Sequence, residues 1–269
     1  MRKKSRLTIT LPKDLLSKID SNIDGCDIRN RSHAIESLIR QSLKNPIETA
    51  IILAGSKTPS KTPTLKLING KSNIVHTIEK IVDSGIKNIL ICAGSHNQKI
   101  KKVIKDGSAY NAKVKYISET TPLGTGGAIK KAQKHIKGES FLVIHGDIVT
   151  ELNINTFISF HTQENTLATI AVKPRKTEAS YGKVLIEGNQ ITDFFNKSDS
   201  KGIDIINAGI YIFKSNIFSF IKPGKSKLET DIFPLLAKQE QLTAYIFQGM
   251  WYDISKQENY KSAVNRSNK

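Results

Sequence analysis

The stretch that most constrains the fold lies near the middle of the chain, at residues 122–148. It joins a glycine-rich turn (Gly124, Gly126 and Gly127) to an amphipathic helix, an apolar run and an acidic residue, Asp147. Glycines allow close backbone approach, and the free N–H groups that begin a helix favour a phosphate. The apolar run is typical of a parallel strand buried on both faces, and open α/β sheets bind ligands beyond such strands. We therefore expect the turn to bind a phosphate, and Asp147 beside it to hold Mg²⁺. The pattern alone leaves open a plain loop with a capping aspartate.

Composition indicates a soluble globular protein of 269 residues, with 38% hydrophobic side chains. No apolar run approaches the roughly 18 residues that indicate a membrane span. The basic N-terminus lacks the apolar segment of a signal peptide. Two cysteines, Cys26 and Cys92, have neither metal-site spacing nor a disulfide framework. We expect a cytoplasmic protein with no membrane partner.

The net charge of +17 is in the range that nucleic-acid-binding proteins show. It is spread along the chain, with +5 on the first 46 residues and +12 on the rest. Because the excess is general, charge alone does not decide between DNA binding and a compositional bias towards lysine.

The first 46 residues combine one strand pattern with two helical patterns. Apolar and polar residues alternate from Arg6 to Leu11, Pro12 can begin a first helix, and Ser32 is suited to the N-cap of a second. A single strand has unpaired edges, so we expect a partner strand from a second chain. The protein should therefore be a homodimer or a higher homo-oligomer.

This strand–helix–helix order resembles the ribbon-helix-helix repressors, whose paired strands enter the DNA major groove. The resemblance implies a DNA-binding and dimerisation domain over residues 1–46, with DNA contacted through residues 1–44. It also implies base contacts from Arg6, Thr8 and Thr10, and a phosphate held by Arg31 and Ser32 at the start of the second helix. A dimerisation clasp without DNA binding is the alternative.

Residues 47–269 alternate strand and helix patterns, which predicts an α/β domain with a parallel, doubly wound, Rossmann-like sheet. Residues 180–214 are expected to form hairpins. The strand patterns lie at 50–54, 88–93, 114–117, 141–144 and 167–172, and the helical patterns at 74–86, 100–104 and 154–162.

A set of short motifs in this domain resembles the sugar-1-phosphate nucleotidyltransferases, also called nucleotide-sugar pyrophosphorylases. The motifs follow one another from Ile51 to Ile254. They are Ile51–Gly55, Asn69–Lys71, Pro122–Ala128, His145–Asp147, Tyr181–Gly182, Phe195–Lys197, Asn207–Tyr211, Asp231–Leu236 and Trp251–Ile254.

The resemblance implies a site and a reaction. Asp147 and Asp253 would hold a catalytic Mg²⁺, and Lys197 would contact the sugar phosphate during catalysis. The nucleotide and sugar would lie against Gly55, Glu119, Gly124, Gly126, Gly127, Gly182 and Asn207. In this family a sugar-1-phosphate oxygen attacks the α-phosphorus of an NTP and releases pyrophosphate.

One departure from the family pattern leaves the activity open. The family wraps the triphosphate with a loop of the type G-x-G-T-R followed by a Pro-Lys pair, whereas residues 56–66 contain neither glycine nor arginine. Lys57, Lys61 and Lys66 supply charge there, but a lysine is not a bidentate fork. Our first hypothesis is a DNA-binding regulator that senses a nucleotide, sugar phosphate or nucleotide-sugar. The alternative is an active sugar-1-phosphate nucleotidyltransferase with a fused DNA-binding unit.

Overall fold

The computed structural model describes residues 7–42, 45–55, 62–119, 121–176, 181–195 and 202–267, with side chains in the first range up to residue 39. Arg6, Lys197 and the part of the altered loop at 56–61 lie outside these residues. The chain divides into two compact units, Met1–Asn45 and Pro46–Lys269. The division falls one residue before the boundary expected from the sequence. The DNA-binding role of the first unit stays a prediction.

The first unit contains helices α1 (Lys13–Asp20) and α2 (Arg31–Ser42). The Arg31 guanidinium joins the two helices because its Nε and Nη2 lie 2.7 and 2.8 Å from the Asp20 carboxylate oxygens. Asn30 caps α2, since its Oδ1 accepts the His33 N–H at 2.9 Å. The prediction of Ser32 as the N-cap was wrong, because the helix begins two residues earlier than expected.

The strand predicted at residues 6–11 is not present in the single chain. Residues 7–12 form neither helix nor strand. A strand requires a neighbour for its backbone groups, and the described part of this unit supplies none. Thr8 and Thr10 are exposed, and so are the apolar Leu7 and Ile9 at 82% and 49%.

The second unit alternates strands and helices in its first half, as the sequence predicts. Its helices are α3 (Asn73–Asp83), α4 (Asn97–Ile104), α5 (Gly124–Ala132), α6 (Ile154–Glu164), α7 (Phe233–Lys238) and α8 (Gln257–Ser267). Its strands are β1 (Ile47–Leu53), β2 (Leu67–Ile68), β3 (Lys71–Ser72), β4 (Asn88–Cys92), β5 (Lys113–Ile117), β6 (Ser140–His145), β7 (Ile148–Thr150), β8 (Ala168–Lys176), β9 (Lys183–Glu187), β10 (Gln190–Phe195), β11 (Ile203–Lys214), β12 (Leu242–Ile246) and β13 (Trp251–Asp253). Short 3₁₀ turns lie at Pro63–Leu65, Gly94–His96, Ser108–Tyr110, Gln133–His135 and Ser215–Ser219, with a π-helical turn at Leu228–Ile232.

The main sheet is mixed, which corrects the expectation of a parallel one. In the described residues its strand order is β5-β4-β1-β6-β11-β8-β12-β10-β9. The strands β5, β4, β1 and β6 are parallel, whereas β11 runs antiparallel to both β6 and β8. Strands β9 and β10 form an antiparallel hairpin, and β11 lies between β6 and β8 and is also antiparallel to β9.

Both faces of the sheet are covered, as in doubly wound folds. Along β1, Ala50 and Ile52 pack with residues of α3, α4 and α6, whereas Ile51 and Leu53 pack with residues of α5 and α7. Because successive side chains point to opposite faces, one apolar strand contributes to both cores. Within the described ranges, no helix has the length and apolarity that crossing a membrane requires.

Candidate functional site

The centre of the candidate site is a pair of carboxylates at the carboxyl ends of the parallel strands. Strand β6 ends at His145, and Asp147 lies in the turn that leads into β7. Strand β13 pairs antiparallel with β7 and places Asp253 opposite Ile148. The Ile254 N–H donates to the Asp147 carbonyl oxygen at 2.9 Å. This two-stranded ribbon brings Asp253 next to Asp147 from far along the chain, as the resemblance implied.

Two buried polar side chains fix the turn that carries Asp147. The Thr64 hydroxyl donates to the Gly146 carbonyl oxygen at 2.7 Å. The Asn73 amide donates to the carbonyl oxygens of Gly146 at 2.9 Å and of Ile148 at 3.1 Å. Neither Thr64 nor Asn73 was among the predicted site residues. The position of Asn73, at the start of an apolar helix and just after the Asn69–Lys71 motif, was the available signal.

Charges around the pair oppose the ionisation of Asp147. Burial raises the pKa of Asp147 above its usual range, His145 counteracts this, and the negative charge of Asp253 raises it further. Asp253 accepts hydrogen bonds from the N–H and the hydroxyl of Ser255, at 2.9 and 2.5 Å. A cation placed between the two carboxylates would remove their mutual repulsion.

The donor set fits Mg²⁺ better than a cation held entirely by protein. Within the described residues, no group of three or more His, Cys, Asp or Glu side chains is placed to hold a metal. Mg²⁺ is usually bound by one or two carboxylates and completes its shell with water and substrate phosphates. Two adjacent carboxylates at an open sheet edge match that requirement.

The expected sugar-side residues also lie together. The Asn207 N–H donates to the Gly182 carbonyl oxygen at 2.9 Å. A Cβ at Gly182 would lie 2.9 Å from the Phe194 ring, so a larger residue would have to displace that ring. Tyr181 packs edge-on against Trp251, with ring centroids 5.4 Å apart. Trp251 belongs to the strand that carries Asp253, so the sugar-side motifs and the acidic motif form one cluster.

A chain of polar contacts links Asn207 to the carboxylates. The Asn207 amide donates to the Tyr211 hydroxyl at 2.9 Å, and this hydroxyl lies 3.5 Å from Nε2 of His145. Burial raises the pKa of Tyr211 well above its usual value, so its hydroxyl stays protonated. Neither His145 nor Tyr211 was predicted individually as a site residue, although both stand inside quoted motifs. Their function as a support became visible only with the fold.

The glycine turn is packed against a later segment of the chain. A Cβ at Gly124 would meet the Ser226 carbonyl oxygen, and a Cβ at Gly127 would meet that of Gly224. The Gly127 N–H donates to the Ser226 carbonyl oxygen at 3.1 Å. The Thr125 hydroxyl donates to the Glu229 carboxylate at 2.9 Å. The expectation of free N–H groups at this turn was therefore wrong for Gly127, whose donor is used within the protein. Ligand contact by the turn stays a prediction.

Glu119 is hydrogen-bonded to the residue that precedes the glycine turn. Its carboxylate accepts the Leu123 N–H at 3.2 Å. Burial raises the pKa of Glu119, and the Leu123 hydrogen bond and Lys131 oppose that rise. A half-buried carboxylate beside the turn can accept hydrogen bonds from a base, which is the role that the resemblance implied.

Gly55 and Lys66 border the altered loop and differ in what surrounds them. Gly55 is exposed, and a Cβ there would meet no atom of the described residues within 4 Å. The Lys66 ammonium donates to the Ile254 carbonyl oxygen at 2.7 Å and lies 4.7 Å from the centre of the Tyr260 ring. Lys66 thus supports the segment that follows Asp253, whereas we had considered it as a triphosphate contact.

Comparisons with known proteins agree with this geometry. Residues 56–269 match the family described as Nucleotidyl transferase. The mannose-1-phosphate guanylyltransferase catalytic subunit beta of Dictyostelium discoideum is 28% identical over 211 residues, covering 77% of this chain and 59% of that protein. The protein of the same description from Drosophila melanogaster is 27% identical over 206 residues, covering 75% of this chain and 56% of that protein. The chain therefore spans less than two thirds of the length of these curated relatives.

Solved structures show the same fold. HddC from Yersinia pseudotuberculosis, crystallised with GMP-PN, is 27% identical with a TM-score of 0.70, covering 82% of this chain and 99% of that one. A putative glucose-1-phosphate thymidylyltransferase from Bacillus anthracis is 21% identical with a TM-score of 0.74, covering 81% of this chain and 94% of that one. The second likeness concerns the fold alone.

Proposed function

The chain belongs to the nucleotidyl transferase family, and from that premise we propose that it transfers a nucleotidyl group from an NTP to a sugar-1-phosphate. The observation that carries the proposal is the placement of Asp253 beside Asp147 by the β7–β13 ribbon. A structural role for either aspartate alone would not require the two like charges to be brought together. The names of the relatives favour this activity over the ligand-sensing regulator.

The reaction needs positioning and charge neutralisation more than a covalent nucleophile. An oxygen of the sugar phosphate attacks the α-phosphorus, and the bond from that phosphorus to the oxygen bridging to the β-phosphorus breaks. Asp147 and Asp253 would hold Mg²⁺, which neutralises negative charge on the phosphate oxygens. The Asn207–Tyr211–His145 contacts keep the sugar side rigid, and Lys197 is proposed to contact the sugar phosphate.

For the substrates, we propose a guanine nucleotide and a hexose-1-phosphate. Two features support this choice: the mannose-1-phosphate guanylyltransferase names of the relatives, and the GMP-PN bound to HddC. We propose that the Glu119 carboxylate accepts hydrogen bonds from an N–H-bearing base such as guanine. A uracil or thymine base offers one N–H donor on its ring, so it would satisfy this carboxylate less well.

The deciding experiment measures pyrophosphate release with each of the four common NTPs against mannose-1-phosphate and glucose-1-phosphate, with and without Mg²⁺. We expect the highest rate with GTP. Asp253→Asn should lower kcat by about 10²-fold or more, because charge stabilisation in the transition state is lost. Asp83→Asn, at an exposed site at the end of α3, is the matched control and should leave kcat unchanged.

The same experiment tests the regulator hypothesis. Binding of a nucleotide or nucleotide-sugar, seen as a thermal shift without any pyrophosphate release, would contradict the transferase proposal and support a sensor. The loop at 56–66, which lacks the family's arginine, is the sequence feature that favours this outcome.

We propose DNA binding and dimerisation as a second function, carried by the first unit. The observation that favours it is a set of exposed apolar side chains on a very small unit, namely Leu7, Ile9, Leu15, Leu38 and Ile39. A second copy that pairs its residue 7–11 segment with this one would cover Leu7 and Ile9. Arg6, Thr8 and Thr10 would then face the major groove. Arg31, held here by Asp20, would have to exchange that partner for a phosphate.

A salt titration tests the DNA-binding part. We expect specific affinity to fall steeply with salt, and Thr8→Ala together with Thr10→Ala to weaken a selected site more than a random duplex. Equal weakening on both duplexes would indicate phosphate contact only. No detectable binding to a library of duplexes at low salt would leave the unit as a dimerisation clasp.

A further inference from the structure

A cavity of about 340 Å³ lies at the end of the sheet opposite to the one that carries Asp147. The amino ends of β4 and β5 form one side, through Asn88, Leu90 and Lys113 to Lys115, and residues 134–137 after α5 form the other. Because β4 and β5 run parallel to β6, their amino ends are at the far end of the sheet from the carboxylate pair. The cavity is therefore separate from the candidate active site.

The lining combines cationic and apolar side chains. The basic side chains are Lys113, Lys115, Lys134, Lys137 and His135, and none of the lining residues is acidic. Within the described ranges, none of these four lysines forms an ion pair. Leu90, Val114 and Ile136 provide the apolar surface between them.

One of the lysines lies within hydrogen-bond distance of the histidine in this lining. The Lys115 ammonium lies 3.3 Å from Nδ1 of His135. An ammonium can only donate, so His135 accepts and is neutral in this arrangement. Burial lowers the pKa of His135, and the charges of Lys115 and Lys134 lower it further. An anion in the cavity would offset the positive charges of Lys115 and Lys134 and so favour protonation of His135.

We propose that this cavity binds a small organic phosphate, with its phosphate groups on the lysines and its apolar or ring portion on the apolar side chains of Leu90, Val114 and Ile136. The volume is at the lower end of the range for small-molecule sites, which suits one compact ligand. Lysines act as point charges towards phosphate and do not impose a bidentate geometry. A ligand with several phosphate groups therefore satisfies more of them than a monophosphate does.

Calorimetric titration with inorganic triphosphate, at fixed ionic strength and without divalent cations, tests the proposal on the full chain. We expect saturable binding that the Lys115→Gln/Lys134→Gln variant weakens by about tenfold or more, because each lysine provides a charge-assisted hydrogen bond. Lys115→Arg/Lys134→Arg keeps the charge and should bind within about threefold of the wild type. Lys101→Gln/Lys102→Gln removes the same charge from exposed positions of α4 and should change the affinity little.

Several outcomes would overturn the proposal. They are non-saturating heat, equal weakening in the α4 control, and tighter binding of a short DNA duplex that displaces the triphosphate. The first two would indicate diffuse charge attraction, and the third a nucleic-acid surface. A negative result in this titration can be distinguished from failure of the proposed transferase activity, because the pyrophosphate-release assay reports only on the site of Asp147 and Asp253. Asp253→Asn should accordingly leave the binding of triphosphate at this cavity unchanged.

Discussion

At the scale of single residues, Asp147 shows a conflict between function and stability. Its carboxylate is half-buried and lies beside the like charge of Asp253, and both circumstances raise its pKa. Ionisation at neutral pH therefore costs folding free energy. Groups of this kind are retained where their charge is needed to bind a cation or a transition state.

We predict that Asp147→Asn abolishes turnover and stabilises the fold by about 0.5–1 kcal/mol at pH 7. A raised pKa means that the folded state holds its proton more tightly than the unfolded state. The stability difference between the variant and the wild type should begin to shrink as pH falls below that raised pKa, and should vanish only near the unfolded-state pKa of about 3.9. Urea unfolding at pH 7 and pH 4 measures this. A variant less stable than the wild type at pH 7 would contradict the electrostatic account.

A second residue-scale prediction separates two glycines by what surrounds them. Gly127→Ala would drive a Cβ into the Gly224 carbonyl oxygen, so we expect a loss of about 1–3 kcal/mol of stability. In Gly55→Ala the added Cβ meets no atom of the described residues within 4 Å, so we expect unchanged stability, and a raised KM if the backbone there approaches a ligand. Thermal unfolding and steady-state kinetics on both variants provide the check. Equal losses of stability in the two variants would show that the close packing around Gly127 does not determine the effect of the substitution.

At the scale of elements, α6 is joined to the sheet by a buried polar chain. Nδ1 of His161 lies 2.8 Å from the Thr169 hydroxyl of β8, which lies 3.0 Å from the Thr243 hydroxyl of β12. Burial lowers the pKa of His161 to about 4, with the charge of Lys214 adding to the shift. In the described structure, Nε2 of His161 is buried without a hydrogen-bond partner, so protonation there would be unfavourable.

We predict that this contact makes the fold acid-sensitive. The pKa of His161 is depressed from about 6.5 to about 4. Its contribution to stability is complete above about pH 6.5 and is lost as pH falls to about 4, roughly 3 kcal/mol in total. His161→Gln should flatten the pH dependence of the unfolding free energy across this window. His33→Gln, on the exposed face of the first unit, is the control and should leave the slope intact.

The elements also show what the sequence can and cannot predict. Strands β1, β4 and β6 were predictable because apolar runs buried on both faces give a local signal. Strand β11 was not predictable as an antiparallel insertion, because strand order depends on pairing between distant segments. The glycine turn is a similar case. Its glycines predicted that another group approaches the backbone of the turn closely, but only the fold shows that this group is the segment of residues 224–226. The adjacency of the two aspartates followed from the family resemblance and not from local pattern.

At the scale of the whole molecule, the chain consists of two compact units of very different size. The second unit has its own two-sided core, whereas the first leaves a large share of its apolar side chains exposed. A unit of this size rarely supplies enough burial for its own stability. Assembly through the first unit is therefore expected to stabilise that unit, with little effect on the second.

We predict a dimer at micromolar concentration in sedimentation velocity experiments. Leu7→Asp/Ile9→Asp should shift it towards monomer, since charges would replace the apolar face of the paired strands. Thr8→Asp/Thr10→Asp adds the same charge on the alternate face and should leave the dimer intact. Transferase activity per chain should be similar in all three proteins. A monomeric wild-type protein, or equal disruption by both variants, would contradict assembly through residues 7–11.

The β7–β13 ribbon also determines when, during synthesis, Asp147 and Asp253 can come together. Synthesis on the ribosome produces the main strands and the Asp147 turn first, and they can begin to fold while the rest of the chain is still being made. Asp253 is synthesised only with β13, well after Asp147. A nascent or prematurely terminated chain would thus carry one carboxylate of the pair without the other. Under the proposed function, such a chain would lack one of the two proposed ligands of the divalent cation, and we expect it to show no activity towards NTP.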